Sequence, residues 1–363
     1  MENTTLELGM DSNPPPVNHP FKFDGQGREY FRIWIVNISL TILTLGIYSA
    51  WAKVRNLNYF YGNTQVAGSS FEYHANPVSI FKGRLMVFGF FILYLVLTNY
   101  YPATGLVFSL LFLILTPTLI VRSLKFTAQN SSYRGVRFDF NGSIGGAVKN
   151  FILWPILAMF SFGLLFPYML HQQHKYVVGN AAFGTQKFKF NSNVKGFYGI
   201  CLKASALSIV LMVIIMLMMS NSFELLLATS DETGEPEMQG GFFIMAAFMM
   251  AFGSMMQGYF HALLMNARYK QTQLGDTGRG ESGFVSNLGA LDLAWVYLTN
   301  LVMIVCSLGL AIPFTKIRLM RYRTSCLKLK KGSSFDYILS IQLANQSALG
   351  EEAGEAMDLD FAL

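Results

Sequence analysis

The sequence predicts an α-helical polytopic membrane protein with internal repeats: four full spans, three glycine-broken segments and small cytoplasmic β-hairpins after the helices. Three observations predict it. All 27 Lys and Arg residues fall in six blocks, residues 22–32, 53–84, 122–149, 175–203, 268–279 and 316–331, and the long apolar runs between them carry none. A cation in the bilayer core costs several kcal/mol, and basic loops stay cytoplasmic. Hydrophobic residues make up 52% of the chain and charged residues 13%, against roughly a quarter charged in soluble domains. A basic, aromatic cassette also recurs along the chain.

Residues 1–20 are acidic and proline-rich, without the basic start and apolar stretch of a signal peptide, and read as a disordered cytoplasmic arm. Repeat 1, residues 21–137, holds a broken segment at 33–52, spans at 85–101 and 102–121, and cassettes such as RNLNYFYGNTQVAGSSFEY, 55–73. A shift of 67 lays that cassette on 122–140, Phe71 onto Phe138; a shift of 117 lays FKFDG, 21–25, on FDFNG, 138–142. Repeat 2, residues 138–284, holds a broken segment at 150–170 and spans at 204–224 and 240–265; repeat 3, 285–341, holds a broken segment at 292–314. Aromatic and β-branched residues split by Gly turns favour two-stranded ribbons, joined into sheets by strands such as 21–25. The tail, 342–363, is acidic.

The three broken segments share one interruption, Thr44-Leu45-Gly46, Ser161-Phe162-Gly163 and Ser307-Leu308-Gly309, with Pro167 and Pro313 following in two copies. If every apolar segment crosses fully, basic cassettes fall on both faces. If the broken segments enter and leave on one side, every basic block is cytoplasmic. The second reading places both termini in the cytoplasm; the competing one keeps seven kinked spans.

No catalytic constellation is present: there is no Walker loop, His-Glu-x-x-His, Gly-x-Ser-x-Gly or Cys-x-x-Cys. The chain is read as non-enzymatic, with no cofactor and no metal. His171 and His174 lack a nearby acid or Cys to complete a site, and the dense methionines of 212–265 read as helix packing. Neutral polar residues at depth are better candidates. Asn37 and Asn300 coincide in the repeat and either bond loosened backbone or contact a solute. Arg55, Arg122 and Arg318 are equivalent cations of three cassettes, which suits anchoring at the interface or a headgroup pocket. The helix-break glycines Gly46, Gly163 and Gly309 frame the site. The net charge of +6 follows from these flanking blocks, so the expected partners are anionic lipid headgroups and not nucleic acid, with self-association left open.

The string GREYFRIWIVNISLTILTLGIYSAWAKVRNLNYFYGNTQVAGSSFEYHANPVSIFKGRLM, residues 27–86, resembles the signature of the YjgN family of bacterial inner-membrane proteins, above all in TLGIYSAWAKVR and YGNT. The resemblance implies a multi-pass protein of the cytoplasmic membrane and brings no activity or site residue with it. The expected function is to pass or bind a neutral or lipidic solute; the alternative is a scaffold whose β-hairpins recruit partners or self-assemble.

Overall fold

The computed structural model describes residues 17–191, 193–229, 238–274 and 282–331. Its organising element is a single antiparallel sheet. Eleven strands among the described residues run in the order β1-β11-β10-β9-β8-β7-β6-β5-β4-β3-β2. They are β1 (Val17–Pro20), β2 (Lys22–Phe23), β3 (Thr64–Val66), β4 (Ser69–Tyr73), β5 (Ser131–Tyr133), β6 (Val136–Phe140), β7 (Ala181–Phe183), β8 (Gln186–Phe190), β9 (Thr272–Leu274), β10 (Ser282–Ser286) and β11 (Leu327–Lys331). The two ends of this order, β1 and β2, are separated in sequence by Phe21 alone. β1 pairs with β11, β2 pairs with β3, and the Phe21 N–H donates to the Leu327 carbonyl at 3.0 Å. The segment 17–23 is therefore one strand that closes the sheet into a ring and leaves no long free edge.

Period-two alternation decides which side chains fill the ring. In VRFDF and LKLKK the apolar residues face in, while Arg137, Lys328 and Lys330 are exposed. Five phenylalanines, Phe21, Phe71, Phe138, Phe188 and Phe284, take equivalent places on the five strands that lead into the hairpins, the 17–23 segment, β4, β6, β8 and β10. Phe71 lies opposite Tyr133, Phe138 opposite Phe183, Phe188 opposite Leu274 and Phe284 opposite Leu329, and Phe21 continues the Lys22–Gln65 register onto Val66. These ten side chains form one packed cluster. Ring centroids 4.9 Å apart for Phe71–Tyr133 and 5.1 Å for Phe138–Phe183 add aromatic contact to area burial. The middle of the ring is a plug.

Helical hairpins connect the strand pairs. α1 (Gly27–Leu43) and α2 (Ser49–Gly62) lead from β2 to β3. α3 (Pro77–Tyr100) and α4 (Thr104–Gln129) lead from β4 to β5. α5 (Ile144–Val148), a π-helical turn at Lys149–Leu153, α6 (Trp154–Phe160) and α7 (Phe166–Gly179) lead from β6 to β7. α8 (Val194–Thr229) and α9 (Met238–Lys270) lead from β8 to β9, and α10 (Ala290–Cys306) and α11 (Ile312–Ser325) from β10 to β11. Each connection joins two paired antiparallel neighbours, so all five hairpins leave the ring at the same rim. The tight strand turns, Ala67-Gly68 and Arg134-Gly135 with φ of 46° and 80° and of 50° and 77°, lie at the opposite rim. Such left-handed pairs match the twist of a two-residue hairpin.

One backbone bond recurs where every returning helix meets the ring. The residue leaving each long strand donates its N–H to the carbonyl ending the helix: Asp24 to Asn63 at 3.0 Å, His74 to Asn130 at 2.8 Å, Asn141 to Asn180 at 2.8 Å, Asn191 to Gln271 at 2.9 Å and Asn287 to Cys326 at 3.1 Å. Carbonyls that a helix C-terminus would leave unpaired are satisfied this way.

The hydroxyl-x-Gly interruptions have a local mechanism. Gly46 N–H bonds the Thr41 carbonyl at 2.7 Å and Leu45 N–H the Ile42 carbonyl at 3.1 Å, the Schellman pattern that ends a helix. Thr44 Oγ1 donates to the Leu40 carbonyl at 2.7 Å and accepts from the Tyr48 N–H at 2.9 Å, which ties the end of one helix to the residue that precedes the next. Ser161 accepts from Leu165 at 3.0 Å and Ser307 from Ala311 at 2.8 Å in the same manner. One hydroxyl thus joins the end of one helix to the start of the next. Pro167 and Pro313 sit in the first turn of the returning helix, where a missing N–H costs nothing.

Two expectations are corrected. Separate small β-hairpins do not exist as such: each long strand pairs outward with the next cassette, and residues 17–20, read as the end of a flexible arm, supply the closing strand. Four full spans are not found either. Among the described residues three helices are long and apolar enough to cross a membrane, Pro77–Tyr100, Thr104–Gln129 and Val194–Ile214. The segment 240–265 lies in α9, whose described part is mostly exposed at 245–250, with Met249 and Met250 on the surface, and packs on protein only further along. Ala262 is fully buried, and a Cβ at Gly258 would come within 2.8 Å of the Ala294 Cα. The acidic tail, 342–363, lies outside the described residues.

Candidate functional site

At the rim where the helices leave, the plug forms the floor of a cavity of about 390 Å³. Phe21, Phe71 and Leu327 come from the strands. Phe60 and Tyr61 come from the last turn of α2, Met265 and Tyr269 from that of α9, and Met320, Arg323 and Thr324 from that of α11. The volume lies in the lower part of the range of ligand pockets, roughly 300–1,000 Å³. Ring closure creates the chamber, because it brings α2, from the start of the chain, beside α9 and α11, from its end.

The polar groups of this chamber are few. Thr64 Oγ1 donates to the Phe60 carbonyl at 2.7 Å and Thr324 Oγ1 to the Met320 carbonyl at 2.9 Å, so both hydroxyls have committed their protons to backbone. Arg323 differs. Its Nη2 donates to the Tyr297 hydroxyl at 2.7 Å, while its Nε is buried without a partner. His261 on α9 stands near that phenol, ring centroids 6.4 Å apart, and its Nε2 is also buried without a partner. No nucleophile stands beside a base in this chamber among the described residues. The chamber is an apolar pocket with one cation in its wall.

The short hairpins are held at their base by a repeated tyrosine. The Tyr59 hydroxyl accepts from Gln26 N–H at 2.9 Å and contacts the Gln26 carbonyl at 3.1 Å and Glu29 Oε2 at 3.0 Å. Tyr176 donates to the Ser143 carbonyl at 2.8 Å and Tyr322 to the Gly289 carbonyl at 3.4 Å. Burial pushes the phenols of Tyr59 and Tyr322 up to about 12.

The residues singled out from sequence are distributed as follows. Asn37 is buried and donates across its hairpin to Asn56 Oδ1 at 3.1 Å, while its own Oδ1 is buried without a partner. Asn300 is brought together with Arg318, whose Nη1 donates to Asn300 Oδ1 at 3.2 Å and Thr299 Oγ1 at 2.8 Å. Arg55 and Arg122 are exposed on α2 and α4. Gly46, Gly163 and Gly309 take φ of 92°, 83° and 89° at the three hairpin tips. His171 and His174 flank the buried ring of Phe197, with centroids at 5.4 and 5.7 Å. None of these residues lines the chamber. Arg323, Tyr297 and His261 were missed; the available signal was the density of cations on α11, which does not say which one faces inward. A second, shallow polar depression of about 480 Å³ lies outside the ring between α7 and β8, lined by Lys175, Asn180 and Lys189 among others.

A closed ring of strand pairs carries helical hairpins on one rim, and three helices among the described residues are long and apolar enough to cross a membrane. The chain belongs to the family described as bacterial protein of unknown function (DUF898), whose model matches residues 18–356. Among curated proteins it is similar to the inner membrane protein YjgN of Escherichia coli K12, 37% identical over 150 residues, which is 41% of this chain and 38% of that protein. It is also similar to the inner membrane protein YjgN of Salmonella typhimurium, 26% identical over 347 residues, 84% of this chain and 87% of that protein. The match thus spans well under half the length of the Escherichia coli protein and most of the Salmonella one. No solved structure matches the chain. These relatives and the three apolar helices place it in the bacterial inner membrane.

Proposed function

We propose that the ring stands on the cytoplasmic face of the inner membrane, that the hairpins rise from it into the bilayer, and that the chamber between them binds a neutral or lipidic solute. Both termini are then cytoplasmic and the protein is multi-pass. The single observation that carries the reading is the chamber's composition: an apolar pocket closed toward the cytoplasm by the aromatic plug and open among membrane helices. A solute reaches it from the bilayer side and leaves by that side, so binding and hand-over fit better than a pore along the ring axis.

Hairpin lengths support the orientation. α3 and α4, with 24 and 26 residues, extend about 36–39 Å and exceed a hydrocarbon core of about 30 Å. Tyr100 and Tyr101 at their tip suit a far interface. α1, with 17 residues, extends about 25 Å, and the short hairpins end in Leu45, Phe162 and Leu308, which are 95%, 99% and 94% exposed. A fully exposed large apolar side chain at each tip fits an end point inside the bilayer. The scaffold reading invoked free strand edges, and the pairing of β1 with β11 and of β2 with β3 favours the solute reading over it.

The test is lipid analysis of the protein purified in mild detergent, with a Met265→Trp variant that fills the chamber. Co-purifying lipid or apolar solute that this variant loses supports the reading; equal lipid content in both proteins overturns it.

A further inference from the structure

We propose that the chamber takes an anionic single-chain amphiphile, its acidic head held by Arg323 and its chain laid against the aromatic floor; this rests on the solute-binding reading above.

Arg323 is a cation whose partners fall short of what burial demands. A guanidinium carries five N–H donors and keeps its charge at any accessible pH. Here Nη2 meets the neutral phenol of Tyr297, and Nε is buried with nothing to receive its hydrogen. Among the described residues the one ion pair joins His74 to Glu72, so no described carboxylate neutralises Arg323. Burying a charge without an opposite charge is costly, and removing an anion from such a pair leaves the full penalty. An acidic head against the Arg323 guanidinium, where that residue lines the chamber, would supply the missing charge. His261 offers a second buried nitrogen beside the same phenol, a donor in the tautomer protonated at Nε2. The hydroxyls of Thr64 and Thr324, with their protons on backbone carbonyls, add acceptors only. Tyr61 and Tyr269 bring phenol hydroxyls to the same wall, and Arg323 is the cation among the chamber's donors.

The remaining wall sets the rest of the ligand. Phe21, Phe60, Phe71, Met265 and Met320 present rings and thioethers with no matching polar groups, as an alkyl chain requires. A cavity of about 390 Å³ has room for one chain and not for a two-chain phospholipid with its headgroup. The plug blocks the ring axis, so the chain enters from the side of the membrane helices. A carboxylate of fatty-acid type and a phosphate of lysophospholipid type share this chemistry, and the assay separates them.

The experiment is native mass spectrometry of the full chain in mild detergent with equal amounts of palmitate, its methyl ester and a palmitoyl lysophosphatidate. Losing a charge-assisted bond of about 1.5–3 kcal/mol corresponds to roughly 10–100-fold in affinity. The expected result is a preference of that order for one or both acids over the ester, whichever acid binds naming the source. Arg323→Gln should abolish the preference, Arg323→Lys should keep part of it, and the exposed Arg55→Gln should keep all of it, with ester binding retained in each as the sign of an intact chamber. Wild type binding ester and acid alike, or Arg323→Gln retaining the preference, overturns the head assignment. If Met265→Trp still removes the ester in those cases, the solute chamber stands and only its charge selectivity falls. Binding that is indifferent to Met265→Trp overturns both.

Discussion

The hydroxyl of Tyr59, on the returning helix of the first hairpin, accepts the backbone N–H of Gln26 at the foot of the outgoing helix, 2.9 Å away. Tyr176 with Ser143 and Tyr322 with Gly289 repeat the contact with the preceding carbonyls, so each short hairpin is closed at its base by a phenol. Tyr59→Phe should lower stability by about 0.5–1.5 kcal/mol, because it removes the acceptor of the Gln26 N–H from a part-buried hydrogen bond. Chemical denaturation in detergent measures this, and an unchanged midpoint would remove the clamp from the account.

The same phenols give a pH dependence. Burial raises Tyr59 and Tyr322 from 10.0 to about 12, so the folded protein binds these protons more tightly than the unfolded chain. Their contribution is complete below pH 10 and is lost as pH rises from 10 toward 12. Phenolate absorbance should show Tyr59 and Tyr322 among the late-titrating tyrosines, and Tyr59→Phe should remove one late phenol.

The hairpin tips predict a contrast between glycines. Gly46→Val forces a β-branched residue to φ of 92° and should cost about 1–3 kcal/mol, with the same sign at Gly163 and Gly309. Gly62→Ala, in α2 with open space around it, should be neutral or slightly stabilising. Equal effects at Gly46 and Gly62 would mean that the tip conformation is not held in the membrane.

The plug predicts where truncation hurts. Phe183 is 2% exposed and packs on Tyr133 and Phe138, so Phe183→Ala should cost about 3–5 kcal/mol. Lys187→Ala, on the outward face of the neighbouring strand, should stay within about 0.5 kcal/mol. Thermal unfolding of the two variants in one detergent separates them.

Local features were legible in the sequence, and closure was not. The Gly turns at 68 and 135 and the Phe-x-aromatic strands follow from residues a few positions apart, as do the breaks at Thr44-Leu45-Gly46 and its copies. The superposition of Phe71 on Phe138 and Phe188 also held the five-phenylalanine floor in outline. Pairing of β1 with β11 joins residues more than 300 apart, and nothing in either strand announces the other. For that reason ribbons were expected where a ring exists. The candidate site shares this cause. Arg318 and Arg323 lie on one helix, and only the closed ring decides that the first turns back to Asn300 while the second faces the chamber.

The central claim is that all five hairpins leave one rim, so that the ring and its cations stay on the cytoplasmic side. Single cysteines at Arg137, Thr185, Ala103 and Leu308, in a chain whose Cys201, Cys306 and Cys326 have been replaced, test it with a membrane-impermeant thiol reagent applied to either face. Arg137→Cys and Thr185→Cys should label from the cytoplasm alone, Ala103→Cys from the periplasm, and Leu308→Cys from neither. Periplasmic labelling of Arg137→Cys or Thr185→Cys would contradict the account.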